Sequence, residues 1–171
     1  MDVVEVSLVT PDAISVIRTL VDAYPEAAVG AGTVLTVAQA RSCIDAGARL
    51  LVSPTIEPEV LATAKAYGVL AIPGGNTPTE CLTAVRLGAP LIKLFPASTW
   101  SPPSLADLRS SLPALRLVPT GGVRITDAAA WYRAGAAALG IGSALTSGTP
   151  EDCRDRIRQL RTALRGARDR S

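Results

Sequence analysis

Leu91-Ile92-Lys93-Leu94-Phe95-Pro96 is a short apolar run, closed by proline, with one ammonium-bearing side chain at its centre. Isoleucine, leucine and phenylalanine in so short a run predict a buried β-strand. A lysine is out of place there, because burying its charged form is costly. Usage elsewhere sharpens the point: of the 17 basic residues only Lys65 and Lys93 are lysine. Arginine serves wherever a solvated positive charge is wanted. Only lysine readily loses its proton and acts as an amine nucleophile, so Lys93 is a candidate for covalent chemistry. The plainer reading is a lysine on an exposed strand face, its head in water.

Working outward, the same unit recurs. Apolar strands are predicted at Val3–Leu8, Ala28–Thr33, Leu50–Pro54, Val69–Pro73, Leu115–Thr120 and Ala138–Ser143, with Leu91–Pro96 between the fourth and fifth of these. Each ends in small residues, threonine or proline. Amphipathic stretches follow. Thr10 is read as the cap of the first helix, Pro11 as its first residue and Asp12 as an acid at its positive end, with Ile14, Ile17, Leu20 and Val21 at helical spacing. Thr36 opens the second helix and Gly47 ends it; the third runs from Glu57-Pro58-Glu59 to Gly68. Thr77-Pro78-Thr79-Glu80 is a capping box for the fourth, which stops at Gly88. The fifth lies near Ser104–Leu112 and the sixth near Thr126–Ala134, and a seventh opens at Thr149-Pro150-Glu151. Strands alternating with helices predict parallel βαβ units. Polar and glycine-rich chemistry at the strand C-termini favours an α/β, TIM (β/α)8-type barrel over a doubly wound sheet. Because a strand begins almost at Met1, the pattern reads as a barrel lacking its first βα unit. An N-terminal piece, a later-placed start or another chain would supply the rest.

Composition narrows the chemistry. The 171 residues are read as a single domain, 1–171, with 48% apolar content and a net charge of +2 that implies no particular partner. Histidine is absent, which excludes Ser-His-Asp and Cys-His nucleophile systems and histidine-ligated metals. Cys43, Cys81 and Cys153 are odd in number and far apart, so they read as reduced packing residues of a cytoplasmic protein. No signal-like or membrane-spanning segment is read from the chain. Arg154, Arg158, Arg161, Arg165 and Arg168 form a stripe on the last helix. Without interleaved aromatics this reads as a solvated face rather than a nucleic-acid surface.

Glu5, inside Val3-Val4-Glu5-Val6-Ser7-Leu8, is the second charge at the centre of a predicted strand. An amine beside a carboxylate is the minimal apparatus for Schiff-base chemistry, in which the amine attacks a ketone and the carboxylate relays protons. A structural ion pair is the alternative. Phe95 shares the parity of Lys93 and faces the same side. Gly121-Gly122 after Thr120, and Gly140-Ile141-Gly142-Ser143, fall at two successive strand ends where backbone N–H groups of barrels hold phosphate. Glycine at such turns is also often only steric. Gly30-Ala31-Gly32-Thr33 lacks the third glycine of a dinucleotide fingerprint and instead presents the Thr33 hydroxyl.

Val4-Glu5-Val6-Ser7-Leu8, Val29-Gly30-Ala31-Gly32-Thr33-Val34-Leu35, Leu51-Val52-Ser53-Pro54, Ile72-Pro73-Gly74, Ile92-Lys93-Leu94-Phe95-Pro96-Ala97 and Pro119-Thr120-Gly121-Gly122-Val123 together resemble the class I 2-keto-3-deoxy-6-phosphogluconate aldolases. The related 2-keto-4-hydroxyglutarate and 6-phosphogalactonate aldolases share the pattern. The resemblance covers nearly the whole chain, as strands two to eight of the family barrel plus a C-terminal helix. It implies Lys93 as Schiff-base former, Glu5 as proton carrier and Thr33 as a pyruvate contact. It further implies Pro54, Pro73 and Phe95 around the substrate, and Thr120, Gly121, Gly122, Gly142 and Ser143 on the phosphate side. It implies cleavage of a phosphorylated keto sugar acid to pyruvate and glyceraldehyde 3-phosphate, no metal or organic cofactor, no nucleic-acid or membrane partner, and a homotrimer. Val9 stands where many members carry an arginine for the pyruvate carboxylate. That leaves the hydroxyglutarate and galactonate substrates open. A non-catalytic ligand-binding or assembly protein, and a phosphate-binding isomerase or synthase without a Schiff base, are the rivals of other classes.

Overall fold

The computed structural model describes residues 3–168. They fall into two compact units along the chain, one ending at Ile92 and one beginning at Lys93.

In the first unit, β1 (Val3–Ser7), β2 (Ala28–Gly32), β3 (Leu50–Val52) and β4 (Leu70–Ile72) form a parallel sheet in chain order. Register is set across the sheet, with Glu5 opposite Gly30 and Ser7 opposite Gly32. The crossovers are helices α1 (Ala13–Ala23), α2 (Val37–Asp45) and α3 (Pro58–Ala66). Alternate residues of β3 serve two cores. Leu51 packs with Ile17, Val29, Val34, Cys43 and Val60, whereas Leu50 and Val52 pack with Ile72, Leu70 and Leu91. A strand buried on both faces needs apolar residues at every position, which is why β3 reads Leu-Leu-Val rather than alternating. The unit continues through β5 (Gly74–Gly75) and α4 (Pro78–Arg86).

Helix starts follow local chemistry. Thr36 with Gln39, and Thr77 with Glu80, close complete capping boxes. The backbone N–H of Asn76, then the Thr77 hydroxyl, hold the Glu80 carboxyl below its usual range. The first helix departs from expectation. The Thr10 N–H donates to the Ser7 carbonyl at 2.9 Å, and Asp12 adopts a left-handed φ of 54° immediately before Ala13. A tight turn therefore consumes Thr10 and Pro11, and neither caps the helix nor begins it.

In the second unit, β6 (Ile92–Leu94) leads into a 3₁₀ turn at Ala97–Thr99 and then α5 (Pro102–Ser111), which is capped by Ser101. β7 (Leu117–Pro119) follows, with the Thr120 N–H donating to the Leu94 carbonyl at 3.0 Å. Leu94, Leu105, Leu115 and Leu117 are buried, as are Trp131 and Leu145. A 3₁₀ turn at Ile125–Asp127 runs into α6 (Ala128–Arg133); then come α7 (Ser143–Thr146) and α8 (Pro150–Arg168). The strand expected at Ala138–Ser143 is not formed. A single parallel bridge joins Thr120 to Gly140, and Ser143 already begins α7. Arg154, Arg158, Arg161, Arg165 and Arg168 are exposed on α8; Arg154 pairs with Glu151 at 2.8 Å and Arg158 with Asp155. Among the described residues no helix is long and apolar enough to cross a membrane.

The three cysteines are free thiols, Cys43 and Cys81 buried and Cys153 partly exposed. Burial pushes both buried thiols up to about 11. A folded-state pKa above the unfolded one adds stability that is complete below the unfolded value of 9.0 and is lost as pH rises through about 11. An aromatic disulfide reagent at neutral pH is therefore expected to label Cys153 in the folded protein and all three thiols after denaturation. The denaturant midpoint should fall between pH 9 and 11, and replacing both buried cysteines by alanine should flatten that fall.

Candidate active site

In the first unit, polar groups gather where β1, β2 and β3 end. Ser7 closes β1 and Thr33 follows β2, and their hydroxyl oxygens lie 2.9 Å apart, either able to donate. Thr33 has φ 62°, a left-handed backbone that is strained for a β-branched residue. The loop after it is pinned from both sides. The Val34 N–H donates to the Val52 carbonyl at 3.1 Å, and the buried Ser53 hydroxyl donates to the Val34 carbonyl at 2.6 Å. Pro54 is half-buried and Pro73 fully buried. Val9, where the resemblance led to an arginine being looked for, projects into solvent at 78% exposure.

Glu5 lies on β1 but is exposed, not buried as its apolar neighbours suggested. The reason is local: the two β2 residues beside it, Gly30 and Gly32, have no side chains to cover it. Its carboxylate lies over the Gly32 backbone, and a Cβ at that position would collide with Oε1. Gly32 is thus the floor on which the Glu5 side chain rests.

In the second unit Lys93 is 6% exposed, with its Nζ 4.7 Å from the centroid of the Phe95 ring. Cation and ring face the same side of β6, as their parity required. The ring's negative face suits an ammonium or an iminium nitrogen. The Phe95–Pro96 peptide is cis.

Phe95 also walls a cavity of about 530 Å³ that is lined by Thr120, Gly121, Gly122, Gly140, Gly142 and Ser143. The Thr120 hydroxyl donates to the Val118 carbonyl at 3.0 Å. Gly121 and Gly122 both have positive φ, 83° and 87°. A Cβ on Gly121 would press on the Phe95 ring at 2.9 Å, and one on Gly122 on Ser98 at 2.8 Å. The Gly121 carbonyl is tied back, accepting from the Ser98 N–H at 2.9 Å. Across the cavity, the first N–H groups of α7, those of Ser143 and Ala144, have no carbonyl within the helix to meet. Chemically, such a lining is able to take an anion by backbone donation.

Five of the anticipated phosphate-side residues, Thr120, Gly121, Gly122, Gly142 and Ser143, therefore share one cavity, together with Phe95. The structure adds Arg124 on its rim, held by two bonds to Asp127 at 2.7 and 3.1 Å. That guanidinium keeps the Asp127 carboxyl below its usual range. A cation three residues beyond Gly121 was the available signal. Ser7 was passed over as part of a strand motif, and only its contact with Thr33 marks it. Among the described residues no group of three or more His, Cys, Asp or Glu side chains could hold a metal ion.

The chain is similar to a probable 2-dehydro-3-deoxy-6-phosphogalactonate aldolase of Rhizobium meliloti strain 1021, 40% identical over 144 residues, which are 83% of this chain and 68% of that protein. It is similar to the solved native KDPGal structure, at 35% identity and a TM-score of 0.93 over 99% of this chain and 84% of the other. A third similarity is to KDPG aldolase from Legionella pneumophila, solved with pyruvate captured as a covalent carbinolamine intermediate. It is 29% identical, with a TM-score of 0.77 over 96% of this chain and 79% of that one. The fold class is accordingly the α/β, TIM-barrel type expected from the sequence. The KDPG and KHG aldolase family model matches residues 1–160, and the chain belongs to that family of aldolases.

Proposed function

We propose that this aldolase works through a Schiff base on Lys93 and cleaves a 2-keto-3-deoxy-6-phospho sugar acid to pyruvate and glyceraldehyde 3-phosphate. The observation that carries the reading is Lys93 itself: a lysine 6% exposed on a strand, its Nζ over the Phe95 ring, in a chain that otherwise uses arginine. The carbinolamine captured in the Legionella relative supports the same chemistry.

Lys93 Nζ attacks the C2 ketone to give a carbinolamine, which loses water to form an iminium. The C3–C4 bond breaks, its electron pair passing into the iminium to give an enamine. Glu5, directly or through a water, takes the C4 hydroxyl proton as the aldehyde forms. The enamine takes a proton at C3, and water releases pyruvate and the free amine. Thr33 binds the carboxylate end, with Pro54 and Pro73 shaping its surroundings. Thr120, Gly121, Gly122, Gly142 and Ser143 hold the phosphate through backbone N–H groups and hydroxyls. No metal or organic cofactor has a role in this scheme. The proposal includes a homotrimer working in the cytoplasm.

Substrate choice rests on two C4 epimers. The gluconate acid is the first expectation from the sequence motifs. The galactonate acid is favoured by the 40% identical relative and by the native KDPGal structure. 4-Hydroxy-2-oxoglutarate, which has no phosphate, uses the glycine-lined cavity least.

Borohydride reduction with pyruvate is expected to leave a pyruvate-derived adduct on Lys93, read by mass spectrometry, and none on Lys93→Ala; a folded parent without any adduct would sink the proposal. Glu5→Gln should still form the adduct but lose about 10²- to 10⁴-fold in kcat, the usual worth of a positioned proton carrier. The ratio of kcat/KM on the two epimeric acids decides the substrate. The galactonate epimer is expected to lead, and a lead for the gluconate epimer returns the assignment to the sequence-based one.

A further inference from the structure

Helix α7 walls one side of the glycine-lined cavity through Ser143 and Ala144, and Ser147 lines it just beyond. This wall has little of its own to hold it, for Leu145 is the one buried residue of the four in α7. The N–H groups turn back on the preceding residues: Leu145 donates to the Gly142 carbonyl at 2.8 Å, and Ser147 to the Ser143 carbonyl at 3.1 Å. Carbonyls at the far end of so short a helix find no partner within it. Arg156, on α8, supplies one. Its Nη1 donates to the Leu145 carbonyl at 3.3 Å and also to the Ser147 carbonyl. Arg156 is half-buried, whereas Arg154 and Arg158 on either side are exposed and paired with acids of their own helix. The stretch of α8 from which it reaches is fixed in turn. The Thr149 N–H donates to Asp152 Oδ2 at 2.9 Å, and the Asp152 N–H to the Thr149 hydroxyl at 3.2 Å, a reciprocal cap. Gly148, at φ 83°, makes the turn between the two helices, and a Cβ there would meet Asp152 Oδ2 at 2.6 Å.

We infer that Arg156 is a positioning residue for this cavity: it ties the Leu145 and Ser147 carbonyls to α8 and so sets where the α7 wall stands. This role rests on the reading of the cavity as the phosphate end of the substrate. Arg156 is not itself among the lining residues, and it acts through Ser147 and the backbone of α7. A charged donor holds a carbonyl more firmly than a neutral one. The planar guanidinium, with its fixed fork of N–H groups, suits a double tie better than the point charge of an ammonium. Lys93 lies on β6, apart from this tie, with its Nζ over the Phe95 ring. A loosened wall should therefore weaken phosphorylated keto acids selectively and leave pyruvate untouched.

The test compares the parent with Arg156→Met, Arg156→Lys and Arg158→Gln. It measures the Kd of inorganic phosphate by calorimetry, KM and kcat for the 2-keto-3-deoxy-6-phospho sugar acid that the parent prefers, and half-saturation of borohydride trapping by pyruvate. Arg156→Met keeps most of the stem and removes the donors. It is expected to raise the phosphate Kd and the KM together by roughly tenfold, the effect of one hydrogen bond to a charged group, with kcat and the pyruvate half-saturation unchanged. Arg156→Lys should recover part of that loss, and Arg158→Gln should match the parent. An unchanged phosphate Kd in Arg156→Met overturns the role given to Arg156. So does an equal rise for pyruvate, which would mark Arg156 as a structural residue only. If Arg156→Met does not fold, Arg156→Lys decides: a rise confined to phosphate and the phosphorylated acid supports the role, and parental values overturn it. A folded parent that binds no phosphate instead removes the reading of the cavity as the phosphate end, and the role of Arg156 with it.

Discussion

Parallel strands covered on both faces leave polar side chains almost no place except the strand ends. In the first unit Leu50, Leu51 and Val52 divide between two cores with no position to spare. Ser7, Thr33 and Ser53 all lie at or just past a strand terminus. In the second unit the same holds for Thr120 and the glycines after it. Apolar burial thus decides where chemistry can occur before any catalytic residue is considered. Two charged side chains depart from this rule: Glu5, exposed in the middle of β1, and Lys93, nearly buried in the middle of β6. A charged ammonium there is costly, and the face of the Phe95 ring, 4.7 Å from Nζ, offsets part of that cost.

The two clusters of polar groups offer donors of different kinds. The glycine-lined cavity has backbone N–H groups, with Gly121 and Gly122 at positive φ against Phe95 and Ser98. The β1–β2 end has the paired hydroxyls of Ser7 and Thr33. Arg124 is exposed and already tied to Asp127, so its charge is partly spent at the cavity rim. Binding of this type depends on geometry more than on net charge, in keeping with a chain whose balance is only +2.

How far the sequence could be read followed how local each feature is. The capping boxes at Thr36 and Thr77 were legible because three residues suffice to define them. Six of the seven strands were placed because runs such as Leu-Leu-Val have no other stable home. Pro11 misled, because a Thr-Pro-Asp start looks like a capped helix until Thr10 is seen bonding back to Ser7. The stretch Ala138–Ser143 misled for a different reason. Gly140 meets the Thr120 side chain, and pairing goes no further than that single bridge. The exposure of Glu5 was hidden because it depends on the glycines of the adjacent strand, 25 and 27 positions away. The Ser7–Thr33 contact was hidden likewise: two ordinary hydroxyls become a pair only through the register of β1 on β2.

Gly32 and Glu5 also constrain one another across time. A methyl group at position 32 has no room while the Glu5 carboxylate lies over it. Any lineage that exchanges this glycine must first lose or displace the carboxylate, and a lineage that has lost the carboxylate no longer has that reason to keep the glycine. The two positions should therefore drift together, and a descendant carrying a larger residue at 32 would hold the side chain at position 5 in another place.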